Sequence, residues 1–69
     1  MKHADFITVT RGLRGFFAVQ MTWDVNCDCY VPLTTHHSSY RDISSAERDG
    51  RVWAKYEELR YIKPERYAA

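Results

Sequence analysis

Two thiols and two imidazoles stand within one short stretch of the chain, as Cys27, Cys29, His36 and His37. Thiolate sulfur and imidazole nitrogen are preferred zinc donors, and four such groups suffice to close a tetrahedral site. The spacing argues against that chemistry. Zinc fingers separate their paired cysteines by two to four residues, whereas a single residue, Asp28, intervenes here. In an extended strand Cys29 and His36 would stand roughly 23 Å apart at about 3.3 Å per residue, too far to share one ion. A disulfide between cysteines so close in sequence would be strained, and a reducing compartment keeps thiols free. Free thiols, no metal and no other cofactor are therefore expected.

The run His36-His37-Ser38-Ser39 also places imidazoles beside hydroxyls, and His3 could serve Cys27 as a base. Nucleophilic catalysis demands more than adjacency in sequence. The nucleophile, its base and an orienting group must converge in space on an oxyanion site. No nucleophile-elbow pattern, phosphate-binding glycine loop or pair of histidines at helical spacing occurs. The chain is expected not to be an enzyme, and its histidines are expected to be solvated at a strand-to-helix junction. A third group is basic: Arg48, Arg51 and Lys55 recur at three- and four-residue steps and, with Arg41, could touch phosphates. Glu47, Asp49, Glu57 and Glu58 interleave with them, which is also the composition of a solvated helix face. Arg11 and Arg14 make a second, smaller basic spot.

The elements that must position these groups follow from periodicity. In Phe6–Thr10, FITVT, Ile7 and Val9 alternate with Phe6, Thr8 and Thr10, the period of a strand. Gly12-Leu13-Arg14-Gly15 can reverse the chain, because glycine tolerates positive φ. The next strand places Phe17, Val19, Met21 and Trp23 on one face and Phe16, Ala18, Gln20 and Thr22 on the other. The larger set is expected to be the core face. Asp24 to Asp28 has turn composition, and Cys29 to Thr35 resumes a strand in which Val31 and Leu33 would join the core. Pro32 lacks a ladder donor and places that strand at an edge, or at least turns the missing donor outward. Asp42 predicts a helix N-cap, with Ile43, Ala46, Gly50, Trp53, Ala54 and Glu57 sharing one face of about four turns that end near Glu58. Gly50 costs about 1 kcal/mol relative to alanine, and close approach of helix to sheet is the reason expected for it, in preference to a break at Asp49-Gly50. Leu59 to Ile62 reads as an extended return onto the sheet or its edge, with the residues from Pro64 onward frayed.

The expected fold class is α+β: a three-stranded antiparallel sheet in the order β-β-β-α, one helix on one face, and a short C-terminal extended segment. The opposite face, with Phe6, Phe16, Ala18 and Tyr30, is then uncovered, which suits a partner or a homodimer. Sixty-nine residues make one domain, 1–69, too small for a deep internal cleft, since such domains bury only about 60% of their unfolded surface. The 45% hydrophobic and 14% aromatic content marks a folded domain, not a disordered tail. Ten basic against nine acidic side chains leave a net charge of +1, which argues against an acidic mimic of DNA and against a strongly basic nucleic-acid arm. No apolar run approaches the roughly 18 residues of a membrane span, and MKHADFITV lacks the apolar segment of a signal peptide. No membrane association is expected, and a cytoplasmic location is.

The stretches RGFFAV, SSYRD and RVWAKYEE, followed by a closing Leu-x-Tyr, resemble short proteins encoded by bacteriophages and prophages of proteobacteria. Those follow the pattern R-G-[FW]-F-A-V, G-x-Y, A-x-x-x-A-x-x-W-A-x-x-E and I/L-x-Y, and the likeness covers Leu13 to Tyr61. Ser45 and Gly50 depart from it in a segment usually rich in alanine and glutamate. The resemblance implies a phage accessory protein in the bacterial cytoplasm, similar to the anti-CRISPR proteins. Such a protein is a stoichiometric, non-enzymatic inhibitor that evades host defence by binding a host protein complex such as a CRISPR effector. Since interfaces favour aromatic and arginine anchors, Phe16, Tyr30, Arg41, Arg48 and Arg51 are the expected contacts. A small nucleic-acid-binding phage regulator and a homodimeric structural protein are the alternative readings.

Overall fold

Alternating β-branched and aromatic residues form three strands, β1 (Phe6–Gly12), β2 (Gly15–Asp24) and β3 (Cys29–Thr35), and the four-residue spacing of small residues forms one helix, α1 (Ile43–Glu57). A two-residue strand, β4 (Arg60–Tyr61), follows the helix. The computed structural model describes residues 3–64. The sheet has four strands in the order β3-β2-β1-β4. β1 with β2 and β2 with β3 are antiparallel, whereas β4 lies parallel to β1. The α+β architecture with one helix on one face is the expected one, and the C-terminal return is the short parallel strand at the β1 edge. β3 occupies the other edge, where the missing donor of Pro32 does least harm.

Gly12 pairs with Gly15 across the first hairpin, with Leu13 and Arg14 between them. Only Gly15 needs positive φ, at 122°. Its backbone also lies against the segment ahead of the helix: Phe16 N–H donates to the Tyr40 carbonyl at 2.7 Å and Tyr40 N–H donates to the Phe16 carbonyl at 2.8 Å. A Cβ on Gly15 would run into that Tyr40 carbonyl oxygen. Glycine here therefore makes the turn and also lets the helix-entry segment dock on β2.

The helix begins at Asp42, whose side chain accepts from Ser45 N–H at 3.0 Å. That hydrogen bond holds the Asp42 carboxyl below its usual range, with the Ser45 hydroxyl adding to the effect. Glu58, in the left-handed region at φ 61°, ends it, well before Pro64. Ala46, Gly50 and Ala54 form the buried seam of α1 at four-residue steps. A Cβ on Gly50 would stand 3.1 Å from the Tyr61 ring and 3.6 Å from the Ala18 Cβ, so the close approach expected of this glycine is present. One uninterrupted helix results.

The seam decides which sheet face is covered, and it reverses the assignment for β2. Ala18, not the Phe17-Met21-Trp23 set, lies under the helix, packed with Ile7 and Ala54 and flanked by Trp53, Leu59 and Tyr61. Ala18 is the Cα partner of Val9, and Gln20 of Ile7, so these residues share the covered face. Phe16 shares it too, by alternation along β2. A helix with alanine and glycine along its seam sits too close to the sheet to leave room for Phe, Met and Trp beneath it. Those side chains occupy the other face, where, among the described residues, Val19 alone is fully buried. Leu33 does not join the core. The pairing steps from Thr34 to Pro32 between Gln20 and Met21, which leaves Leu33 as the extra residue of a bulge, 59% exposed.

Candidate functional site

Trp23 and Tyr30 are Cα partners across β2 and β3, and Phe6 and Met21 across β1 and β2. Alternation puts all four on the face away from the helix. Their rings interlock: Tyr30 meets Phe6 edge-on at 4.7 Å and Trp23 edge-on at 5.0 Å, and His3 stacks on Trp23 at 3.7 Å with 7° between planes. Edge-to-face contact is a favoured aromatic geometry, and Tyr30 makes it with both Phe6 and Trp23. Tyr30 is further anchored by its hydroxyl, which donates to the Ala4 carbonyl at 3.2 Å. Beside the cluster runs an open groove of about 790 Å³ lined by Phe6, Thr8, Met21, Tyr30, Pro32 and Ile62. Its far wall is pinned by two hydrogen bonds, from Thr8 Oγ1 to the Ile62 carbonyl at 2.6 Å and from Ile62 N–H to the Ile7 carbonyl at 2.9 Å. Among the described residues no helix or strand covers this face.

The five residues expected to make contacts do not share one surface. Tyr30 sits at the centre of the aromatic cluster. Phe16 lies on the opposite face, near the helix entry, with the Arg11 guanidinium 6.0 Å from its ring centroid. Phe6 and Tyr30 thus do form an open aromatic face, but Phe16 and Ala18 do not belong to it. Arg41, Arg48 and Arg51 are exposed on the helical layer. Arg48 lines a shallow depression with Tyr40, Ser45, Asp49 and Val52. Arg51 is held over the Tyr61 ring at 5.3 Å, within cation-π range. Tyr61 hydroxyl donates to Glu47 at 3.2 Å, and burial first, then the Glu47 carboxylate, push its phenol above the ordinary range.

The histidines and thiols separate as well. His36 is not a solvated junction residue: its ring stacks on Trp53 at 3.9 Å and its Nδ1 lies 2.8 Å from Asp49 Oδ2, so it links the end of β3 to α1. His37 is exposed. His3 is engaged with Trp23. Cys27, in the β2–β3 turn, and Cys29, the first residue of β3, are free thiols. Among the described residues no three His, Cys, Asp or Glu side chains group as a metal site. No described helix is long and apolar enough to cross a membrane.

Periodicity with side-chain size assigns Trp23 and Met21 to the interior, and His3, read only as a base for Cys27, is instead part of this surface. The signal that could have found them is the Ala46-Gly50-Ala54 step in the helix, which calls for an equally small partner such as Ala18 beneath it. The open face thus carries an aromatic cluster and an adjoining groove, and exposed arginines lie on the helical layer on the far side. Compared with family models, curated proteins and solved structures, the chain matches none.

Proposed function

We propose that this chain is a stoichiometric binding protein of phage origin that occludes a protein complex of its bacterial host, in the manner of the anti-CRISPR proteins its sequence resembles. The observation that carries the reading is the uncovered sheet face, where Phe6, Trp23 and Tyr30 present a preorganised aromatic surface beside an open groove. Rigid, partly exposed aromatic side chains are what interface anchors are made of, because little conformational entropy remains to be lost on binding. Tyr30 is the anchor at the centre of this surface. Arg41, Arg48 and Arg51 lie on the helical layer and serve a second contact or a rim.

The test is capture of tagged protein from nuclease-treated bacterial lysates containing type I or type II CRISPR effector complexes, with mass spectrometry of what is retained. Stoichiometric recovery of an effector subunit by the wild type, and its loss with Phe6→Ala/Tyr30→Ala in a folded protein, is the expected result. Recovery of no effector subunit from any lysate overturns the reading. The nucleic-acid alternative is favoured by one observation, the exposed Arg48, Arg51, Lys55 and Tyr56 on the outer helix, with Tyr56 84% exposed. It predicts retardation of DNA or RNA in gel shifts that weakens steeply with salt. The homodimer alternative predicts a stable dimer by sedimentation at micromolar concentration without any partner.

A further inference from the structure

The turn between β2 and β3 brings two sulfur atoms together. In an extended strand, residues two apart project to the same side roughly 6.6 Å from one another, at about 3.3 Å per residue. Here the intervening Asp28 adopts φ 56°, in the left-handed region, and curls the chain. The curl is fixed by Asp28 N–H donating to the Asp24 carbonyl at 2.9 Å and Asn26 N–H donating to Asp24 Oδ1 at 2.9 Å. The outcome is a Cys27 Sγ to Cys29 Sγ separation of 2.7 Å, with both side chains exposed. That is about 0.65 Å beyond a disulfide bond. Neither sulfur packs in the core or belongs to the aromatic face.

We propose that Cys27 and Cys29 are a redox-active dithiol that closes reversibly to a disulfide within the turn by exchange with small-molecule disulfides such as oxidised glutathione. Cys27 is the sulfur that keeps its proton: its hydrogen bond to Cys29 first, with minor desolvation and the Asp24 carboxylate adding, pushes it up to about 11. Exchange opens at one of the two sulfurs, for example Cys29. Its thiolate, having released its proton to solvent, displaces one glutathione thiolate and forms a mixed disulfide. Cys27 then loses its proton, attacks the Cys29 sulfur and expels the second glutathione thiolate. Two protein thiols are oxidised, one small disulfide is reduced to two thiols, and the two protons end on the two glutathiones. The small strained ring makes the closed form a ready oxidant, so reduced glutathione reopens it. The proposal stands apart from the reading of the aromatic face.

The experiment equilibrates the full chain in buffers of varied reduced-to-oxidised glutathione ratio, quenches with acid, alkylates free thiols and weighs the intact protein. The expected product carries no alkyl group and no glutathione and is two hydrogens lighter than the reduced chain. Its fraction rises with oxidised glutathione and is independent of protein concentration. Cys27→Ser and Cys29→Ser, both at exposed positions, are expected to stop at a single glutathione adduct. Accumulation of glutathione adducts on the wild type at the level seen in the variants would overturn the proposal, as would cross-linking between chains in place of internal closure.

Discussion

The two faces of this sheet are built from opposite materials. Under the helix the seam is small, with Ala18 against Gly50 and Ala54, so the helix comes close enough to bury Ile7 and Val9 completely. Away from the helix they are large, and Phe6, Trp23 and Tyr30 hold one another in place by ring contacts without a covering element. One face is closed by the helix, and the other keeps apolar and aromatic surface accessible. Bulk in a strand is therefore a poor guide to which side is inside when the opposing helix is lined with alanine and glycine.

The contrast is most strongly challenged at Ile7, fully buried on the covered face. Ile7→Ala is expected to cost about 2–5 kcal/mol, which in a domain whose total stability is on the order of 5 kcal/mol populates the unfolded state. Chemical denaturation followed by circular dichroism reads this directly, and a loss below about 1 kcal/mol would mean that the covered face is not the core. Next comes Gly50→Leu, which drives a side chain into Tyr61 and Ala18 and should destabilise by about 1–3 kcal/mol. Thermal melts would show this as a fall of about 4–8 °C per kcal/mol, and an unchanged melt would show that the helix can lift from the sheet at no cost.

On the open face, Tyr30→Ala removes ring contacts at about 0.5–1.5 kcal/mol each and should leave the protein folded. Its larger consequence is expected in binding, with at least a tenfold loss of affinity, about 1.4 kcal/mol, for the captured partner. Equal losses of stability and affinity would blur the distinction between the faces. The smallest effect is expected at the helix cap. Because the folded Asp42 carboxyl titrates below its ordinary value, its contribution is fully present above the unfolded carboxylate range and is lost as pH falls through the depressed folded value. Asp42→Asn, which can still cap, should flatten that acid limb in denaturation midpoints measured from neutral pH downward. An acid limb identical to wild type would remove the carboxylate as its source.

Strand alternation, the Gly12–Gly15 reversal and the Asp42 cap are legible in the sequence because each depends on residues within a few positions of one another, and the edge position of β3 and the close approach at Gly50 are legible because Pro32 and Gly50 each lack a group that a central strand or a looser packing would use. The inversion of the two β2 faces was not, since alternation says which residues share a side and not which side the helix will take. For the same reason alternation alone does not reveal that Phe16 and Tyr30 lie on opposite faces. The pairing of His36 with Asp49 and Trp53 was equally out of reach, being set by how β3 and α1 meet.

By itself the sequence determined the kind of molecule: a small α+β domain with helix and strands in their places, because propensity, capping and periodicity are local. Only the tertiary structure decided which aromatic residues remain accessible and which sulfurs and rings touch. Those outcomes depend on the distance at which a helix with a small-residue seam settles on the sheet, and on the curl imposed by one left-handed residue at Asp28.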